Sequence, residues 1–255
     1  MSEIIFYEQP LNERMRSFLR LEHLFKQAAY TLRGYSIWDS RSTLTSITAI
    51  LDLLSRSDLK TELLKELERQ EKTLSAWTDQ SNVDKAQLNN ILKQITTAQK
   101  SILTLSGQFG QDIRDHELLS SLRQRSSVVG GNCDFDIPLL HFWLQQPPET
   151  RIEKLEEWLE NLELVSHPID LILGVIRESS YTEKAIAEKG FFQKTIETNS
   201  PVQLIRVGIS LSAECFPEIS GGKQRFSIRF MLPQDSARPK QATENIPFML
   251  SCCAL

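Results

Sequence analysis

Residues 221–232, GGKQRFSIRFML, alternate apolar with polar side chains. This period of two is the pattern of a β-strand that buries one face. Phe226, Ile228 and Phe230 would then lie together on the buried face. The run VQLIRVGISL at 202–211 alternates in the same way, so the sequence predicts two strands that each have an apolar side.

The rest of the chain after residue 180 adds weaker strand candidates at 191–197 and 245–250. The N-terminal run IIFYE at 4–8 is β-branched and aromatic, and we expect it to add an edge strand. Turn signals separate the C-terminal runs and lie at 199–201, Pro217 and Gly221–Gly222. Together these strands predict a small antiparallel sheet.

Before residue 180 the apolar period is that of a helix. In SDLKTELLKELERQEKTLSAW, residues 57–77, leucines and a tryptophan recur three, four or seven residues apart, with charged residues between them. A second stripe runs from Leu88 to Ile102, behind a predicted N-cap at Asp84. Shorter helical patterns cover 11–27, 44–54, 113–125, 138–144, 149–162 and 166–179.

The change of period predicts an α+β fold, with a mainly helical domain at 10–179 and a smaller antiparallel β domain. The β domain would combine residues 1–9 with 180–255, so that the N-terminal strand joins the C-terminal sheet. Because strands and helices do not alternate along the chain, a doubly wound fold is excluded.

The composition excludes several classes of function. The 255 residues carry 29 Lys and Arg against 33 Asp and Glu, for a net charge of −4, whereas general nucleic-acid binding needs concentrated cations. No apolar run is long enough for a membrane span, and the N-terminus MSEIIFYEQP lacks the cationic start of a secretory signal. Four cysteines without a repeated spacing favour a reducing cytoplasm over a disulfide framework.

The polar face of the strand at 223–232 carries Lys223, Arg225, Ser227 and Arg229. Its three cations would stand within about 20 Å, because a strand rises about 3.3 Å per residue. One interpretation is an ordinary solvated face whose charges are balanced by acidic residues of neighbouring strands. The other is a platform for a peptide that bears carboxylates, since arginine can hold a carboxylate through two parallel hydrogen bonds.

Other basic residues have simpler explanations. Arg123 and Arg125 close the predicted helix at 113–125, where cations favour the helix macrodipole. His141 lies among apolar residues in LLHFWL and is predicted to be a core or interface histidine.

Motifs that resemble those of enzymes do not have the residue spacing that catalysis requires. HELLS at 116–120 begins like a zinc-protease motif, but Ser120 stands where the second histidine is required. Cys133, Asp136 and His141 lie too close in sequence for a cysteine-protease site, whose partners come from distant segments. We therefore predict no catalytic residue, no metal site and no cofactor.

The C-terminal CCAL has the form of a prenylation box. It follows NIPFMLS, which has the pattern of a strand, whereas a prenylation box usually follows a basic stretch. No direct membrane anchor is expected.

Five longer segments occur in one order along the chain: PLNERMRSFLRLE at 10–22, TELLKELERQ at 61–70, LRQR at 122–125, GGNCDFDIPLLHFWL at 130–144 and ISGGKQRFSIRFM at 219–231. In this order and with these gaps, the chain resembles the ZapD family of FtsZ-associated cell division proteins from about residue 5 to 232.

The resemblance implies a non-enzymatic homodimer in the cytoplasm at the midcell division ring. Such a protein would bind the C-terminal peptide of FtsZ and bundle FtsZ filaments. The implied peptide contacts are Arg20, Arg56, His141, Arg225 and Arg229, and the strand alternation adds Lys223. Glu117 stands where some relatives are basic, so we expect either a pocket that is less positive there or a partner tail that differs to match.

Two further expectations concern partners. We expect the helical domain to dimerise, because its long amphipathic helices offer the larger apolar faces. The alternative function is single-stranded nucleic-acid binding through the basic strand at 223–229. Alternation turns Phe226 and Phe230 away from the cations of that strand, which counts against base stacking, so no nucleic-acid partner is expected.

Overall fold

The computed structural model describes residues 3–55, 58–78, 80, 83–196, 202–222 and 224–255. The chain divides into two compact units, which we call the helical unit (Ser17–Ile172) and the β unit (Met1–Arg16 with Leu173–Leu255). Helices and antiparallel strands make an α+β fold, and the N-terminal strand pairs with a strand of the C-terminal part. The predicted fold class is confirmed.

The helices follow the predicted order, with ends that differ by a few residues. They are α1 (Glu13–Thr31), α2 (Ile37–Leu54), α3 (Leu59–Ser75), α4 (Lys85–Thr104), α5 (Gln111–Arg114), α6 (Glu117–Gln124), α7 (Pro138–Leu144), α8 (Pro148–Glu160) and α9 (Glu163–Glu178). The N-cap predicted for α4 is confirmed, because Asp84 Oδ1 accepts hydrogen bonds from the backbone N–H groups of Ala86 and Gln87 at 2.9 and 3.1 Å.

Two helix predictions are corrected by the structure. The segment 113–125 forms two helices, α5 and α6, because His116 leaves helical geometry at ψ 125° and its ring lies edge-on against Trp158 at a centroid distance of 4.9 Å. Helix α2 begins at Ile37 rather than at residue 44, because Ser36 and Asp39 form a capping box in which each side chain accepts a hydrogen bond from the other's backbone N–H.

The apolar stripes of α3 and α4 turn into the core of the helical unit. Seven of their leucines and isoleucines are at most 4% exposed: Leu59, Leu63, Leu67, Leu74, Leu88, Ile95 and Ile102. Leu64, Ile91 and Leu92 are partly buried, and Leu103 is 66% exposed. Burial of such a side chain stabilises the fold by about 1.5–3 kcal/mol. The buried positions of both helices therefore form part of the core of the unit, whereas α4 also keeps apolar side chains at its surface.

The strands are β1 (Ile4–Pro10), β2 (Thr182–Ala187), β3 (Phe191–Thr195), β4 (Leu204–Ser210), β5 (Phe216–Gly221), β6 (Arg225–Leu232), β7 (Lys240–Gln241) and β8 (Ile246–Cys253). They form two antiparallel sheets rather than the single sheet predicted. The first has the order β1-β4-β8-β2, and the second has the order β3-β6-β5 with β7 also on β6. Two sheets form because each apolar face needs another layer to cover it.

Strand β5 corrects the turn that was predicted at Pro217. This proline lies within β5, opposite Phe230 of β6. Because β5 is at the end of its sheet's strand order, the missing N–H of Pro217 removes no bond from the interior of the sheet. Strands β2 and β7 were not predicted either.

The core of the β unit lies between its two sheets. Phe226, Ile228 and Phe230 of β6 are at most 1% exposed. Phe230 packs against Phe248 of β8 at a centroid distance of 5.1 Å, and Phe192 of β3 meets the same ring at 5.2 Å. The inner face of β6 is thus held in the core, which points its polar face outward.

The N-terminal strand is also held by charge. Both carboxylate oxygens of Glu8 in β1 are used: Oε2 lies 2.6 Å from Nη2 of Arg177, and Oε1 lies 2.8 Å from Nε of Arg206. All three side chains are about one-fifth exposed. The guanidinium of Arg206 also lies over the ring of Phe6, 4.6 Å from its centroid. Glu8 therefore ties the beginning of the chain to α9 and β4.

Candidate partner-binding site

The outer face of β6 carries Arg225, Ser227 and Arg229, as the sequence predicted. Both arginines are exposed, whereas the alternate residues are buried. Neither arginine makes an ion pair with any residue that the structure describes. Lys223, predicted for the same face, lies outside the described residues. Two guanidinium groups are thus available to a ligand on this face.

Neighbouring strands complete the surface around these arginines. On β3, Phe191 lies opposite Arg229 and Thr195 lies opposite Arg225. On β5, Glu218 lies opposite Arg229, and its side chain is exposed. The interpretation as an ordinary solvated face predicted such an acidic neighbour. Glu218 fits that interpretation at Arg229, whereas Arg225 has a threonine beside it.

A cavity of about 610 Å³ adjoins Arg225 on this surface. Its lining is mainly polar and comes from β3, β5, β6 and the turn between β5 and β6: Gln193, Ser220, Gly221, Gly222, Gln224, Arg225, Phe226 and Ser227. A Cβ added at Gly222 would meet no atom within 4 Å, so the backbone of this turn is open to an approaching chain. Amide, hydroxyl and guanidinium donors here can bind a carboxylate and an extended backbone.

The other predicted contacts belong to the helical unit. Arg20 is exposed on α1 and has no ion pair within the described part of the chain. Arg56 lies outside the described residues. The structure thus brings Arg225 and Arg229 together on one strand, while Arg20 and His141 lie on separate helices of the other unit.

His141 is not a core residue, and that part of its prediction is corrected. Helix α7 buries Leu140 and Leu144, one turn apart, which leaves the His141 side chain 50% exposed. Its Nδ1 lies 3.0 Å from Oδ2 of Asp134. The other oxygen of Asp134 accepts a hydrogen bond from Nη2 of Arg41 at 2.7 Å. His141 therefore already faces a carboxylate of its own chain.

Arg123 and Arg125 make side-chain ion pairs. Arg123 Nε lies 2.8 Å from Asp52 Oδ1, and Arg125 Nη1 lies 2.8 Å from Asp136 Oδ1. Their role thus includes tertiary contacts, which the macrodipole interpretation did not predict. Glu117 is exposed in the first turn of α6, and its Oε1 accepts a hydrogen bond from the Ser121 hydroxyl at 3.4 Å.

The residues of the enzyme-like motifs have other side-chain partners in the described part of the chain. Asp136 pairs with Arg125, and His141 pairs with Asp134. Within the described residues, no group of three or more His, Cys, Asp or Glu is placed to hold a metal ion. Among the helices described, none is both long and apolar enough to cross a membrane.

The residues missed by the sequence reasoning are those that the fold brings beside β6. Phe191 and Gln193 belonged to a weak strand candidate, in which the alternation FFQKT could have placed them on one face. Glu218 followed a proline that was interpreted as a turn, so its pairing with β6 had no local signal.

Comparisons with known proteins agree over the whole chain. The sequence model of the ZapD family, described as a cell division protein, matches residues 19–229. Cell division protein ZapD of Methylococcus capsulatus is 42% identical over 255 residues, which cover 100% of both chains. The protein of the same name from Aromatoleum aromaticum is 35% identical, covering 99% of this chain and 98% of its own. That of Escherichia coli O1:K1 is 35% identical, covering 99% of this chain and 100% of its own.

Proposed function

The chain belongs to the ZapD family of cell division proteins, and from this premise we propose that it is a homodimer that binds the C-terminal peptide of FtsZ and cross-links FtsZ filaments. In this proposal it acts in the cytoplasm at the midcell division ring and carries out no catalysis. The matching relatives are named as cell division proteins, and no catalytic family is indicated.

The observation that carries the proposal is the pair of exposed arginines on the outer face of β6. An exposed arginine is hydrated and by itself contributes no binding energy. When a peptide carboxylate displaces the water and accepts two parallel hydrogen bonds from the guanidinium, the resulting pair is strong and directional. Phe191 lies directly opposite Arg229 on β3 and gives the same surface an apolar contact. The face therefore suits a peptide that carries both carboxylates and apolar side chains.

The other predicted peptide contacts are supported to different degrees. Arg20 is exposed and is available to the peptide. Arg56 and Lys223 are proposed contacts from the sequence alone. His141 is the weakest of the set, because Asp134 already lies 3.0 Å from its Nδ1.

Binding and bundling are separate steps in this mechanism. A disordered tail loses conformational entropy when it orders on the sheet, which offsets much of the contact energy and leaves a modest affinity. One tail site cannot join two filaments. A two-fold dimer presents two sites, and the many tails along each filament then hold the bundle together by avidity.

The alternative, single-stranded nucleic-acid binding, has weaker support. Stacking platforms combine several exposed rings with a cationic groove. Phe226 and Phe230 are buried. Two aromatic residues are paired with the outer face of β6 in the described sheet: Phe191, which is exposed, and Phe216, which is partly buried opposite Met231. Glu218 on the same surface would also repel a phosphate backbone.

Binding of the isolated FtsZ C-terminal peptide to the full-length protein tests the proposal. We expect Arg225→Glu to lower the affinity for the peptide by at least about 10-fold, because a charge-assisted hydrogen bond contributes about 1.5–3 kcal/mol. Arg238→Glu is the matched control, since it reverses an exposed charge of the same unit outside β6. Equal affinity of wild type and Arg225→Glu would remove β6 from the site.

Bundling gives the second test. The wild-type protein should sediment intact FtsZ filaments but not filaments that lack the terminal peptide. Raising the salt concentration should reduce sedimentation, since surface electrostatic attraction is screened. Equal sedimentation of both filament types would contradict tail binding as the basis of bundling.

A further inference from the structure

A cavity of about 450 Å³ lies between α1, α8 and α9 in the helical unit. Four apolar side chains line it: Phe25 and Ala29 of α1, Leu32 directly after α1, and Leu159 of α8. Ala29 is exposed and the other three are partly buried. Residues 25, 29 and 32 recur at helical spacing over about 10 Å, since a helix rises about 1.5 Å per residue. We call this cavity the α1–α8 groove.

Carboxylates surround the apolar residues of the α1–α8 groove. Five of them line it, and they are Glu22, Glu156, Glu160, Glu163 and Asp170. Lys26 is the one lysine or arginine among the described lining residues, and its Nζ lies 2.8 Å from Oε1 of Glu22. Glu156, Glu160 and Glu163 are exposed and make no ion pair with any residue that the structure describes. The groove therefore has an excess of negative charge.

The helices themselves do not favour two of these charges. Glu156 and Glu160 lie four residues apart on α8, where like charges repel each other. Glu160 is the last residue of α8, where the helix macrodipole disfavours a carboxylate, and the last turn holds no basic residue. Glu163 differs, because it lies in the first turn of α9, where the macrodipole favours it. A cationic ligand would relieve the repulsion at Glu156 and Glu160.

We propose that the α1–α8 groove binds a basic amphipathic helix of another protein. The apolar side chains of this helix lie against Phe25, Ala29 and Leu159, and its lysines and arginines pair with Glu156 and Glu160. The groove has the opposite charge from the arginines on the outer face of β6. It is thus a second site for a different partner, and it does not depend on the proposed function.

Backbone chemistry favours a helix over an extended peptide as the occupant. An extended peptide brings backbone N–H and C=O groups that its binding site must satisfy. Carboxylates only accept hydrogen bonds, so the carbonyl oxygens of an extended peptide would find few donors in this groove. A helix satisfies its own backbone and presents side chains at positions i, i+4 and i+7, the spacing of residues 25, 29 and 32.

The negative charge also excludes two other classes of partner. A phosphate backbone and the surface of an anionic membrane are both attracted by cations and repelled by carboxylates. The three exposed carboxylates without an ion pair therefore select a cationic partner, and the apolar residues between α1 and α8 select one with an apolar side.

Fluorescence anisotropy of the full-length protein with a labelled helical peptide tests the inference. The probe consists of leucine and lysine, with all leucines on one side of the helix. Two control peptides have the same length: one distributes the leucines around the helix, and the other has glutamate in place of lysine. We expect both controls to bind at least about 10-fold more weakly, because one lacks an apolar side and the other repels the groove.

Two double variants test the carboxylates. Glu156→Gln with Glu160→Gln should lower the affinity for the probe by about fivefold, because two partly exposed ion pairs are lost. Glu149→Gln with Glu153→Gln is the matched control, since these exposed residues have the same spacing on the same helix and lie outside the groove. It should bind as wild type does. An equal loss in both variants would show an effect of net charge and overturn the inference.

A second pair of variants tests the apolar residues. Ala29→Phe fills the groove from an exposed position and should lower the affinity by at least about 10-fold, because the leucines of the probe lose their space. Gln27→Phe, at an exposed position of α1 outside the groove, should leave it unchanged. Wild-type affinity in Ala29→Phe would overturn the inference. Displacement of the probe by spermidine at an equal concentration would also overturn it, since charge alone would then be bound.

Melting temperature and FtsZ binding exclude other roles for the carboxylates. Glu156→Gln with Glu160→Gln should melt at the wild-type temperature or slightly above it, because a repulsive pair is removed. A lower melting temperature would show that the carboxylates stabilise the fold, contrary to the inference. The same variant should bind the FtsZ peptide with wild-type affinity. A wild-type protein that binds the probe and not the FtsZ peptide would contradict the proposed function and support the groove.

Discussion

Arginines have different surroundings in the two units. In the helical unit, Arg41, Arg123 and Arg125 each have a carboxylate oxygen within 2.8 Å. On the outer face of β6, Arg225 and Arg229 have no ion pair in the described part of the chain. The comparison indicates that the first group connects segments of the fold, whereas the second is available for a ligand.

The same comparison predicts which arginines contribute to the stability of the fold and which contribute to peptide binding. An exposed ion pair contributes about 0–1 kcal/mol to stability, so losing an arginine that has no partner should cost the fold almost nothing. A paired arginine in the helical unit should affect the fold and not the peptide. Each prediction below tests one side of this division, from the largest effect to the smallest.

Reversing both arginines of β6 should have the largest effect. Arg225→Glu with Arg229→Glu should lower the affinity for the FtsZ peptide by at least about 100-fold, because two charged hydrogen bonds are lost and two repulsive charges appear. The free energy of unfolding should fall by less than about 1 kcal/mol, because the new carboxylate at position 229 then stands opposite Glu218 on β5. Fluorescence anisotropy and urea unfolding measure the two quantities.

A matched double reversal in the helical unit should give the opposite pattern. Arg123→Glu with Arg125→Glu makes the same change of net charge and disrupts the pairs with Asp52 and Asp136. We expect a loss of about 1–2 kcal/mol of stability, because like charges then face each other, and an unchanged peptide affinity. If both double variants lowered the peptide affinity equally, the change of net charge would explain the effect, and the comparison between the two units would be wrong.

Glu8→Gln should have an effect of comparable size, on stability alone. It removes the carboxylate that holds Arg177 and Arg206, which are only about one-fifth exposed. We expect a loss of about 2 kcal/mol, below the 3–5 kcal/mol typical of a fully buried pair. Urea unfolding measures it. A loss under about 0.5 kcal/mol would mean that Glu8 does not anchor β1.

Glu218→Gln should change binding slightly and in the favourable direction. Glu218 lies opposite Arg229 and competes with a peptide carboxylate for it. Cross-strand pairs of this kind contribute about 0.2–1 kcal/mol, so we expect a gain in peptide affinity of about twofold. Isothermal titration against Glu214→Gln, an exposed carboxylate outside the strands, provides the control. A loss of affinity would show that Glu218 itself contacts the peptide.

The smallest expected effect is a dependence of folding stability on pH that arises from His116. Burial of the imidazole lowers its pKa from the ordinary value of 6.5, and the nearby Lys154 ammonium adds to this. Above pH 6.5 the imidazole is neutral in both the folded and the unfolded chain. Below pH 6.5 the unfolded chain binds the proton more readily, so stability falls as the pH falls through the lowered pKa.

Melting temperatures between pH 7.5 and 5.5 measure this effect in wild type and in His116→Gln. Wild type should lose more stability on acidification, because only its imidazole resists protonation when folded. Parallel curves for the two proteins would show that His116 does not contribute to the pH dependence.

Much of the β6 surface could be predicted because it depends on a local pattern. Alternation along 225–232 is enough to separate Phe226 from Arg225, whatever the strand pairs with. The same holds for the Asp84 cap, which acts on residues two and three positions away. Family resemblance then suggested the proposed partner, because whole motifs occur in one order along the chain.

Contacts between distant segments were not predictable in this way. The Arg41–Asp134 pair joins residues 93 positions apart, and the Arg206–Glu8 pair joins residues 198 positions apart. The sequence also did not show that His141 would be exposed, because the surrounding apolar run suggested a core. A seven-residue helix buries only one side, and the sequence around His141 does not say which.

The amino-acid sequence by itself determined the α+β class and which side chains of β6 face outward. Periodicity is a property of neighbouring residues and follows from backbone geometry alone. Only the tertiary structure decided that Phe191 and Glu218 lie beside Arg229, and that Asp134 holds Arg41 and His141. The physical reason is that charge compensation and exposure depend on partners brought from elsewhere in the chain, which no local spacing encodes.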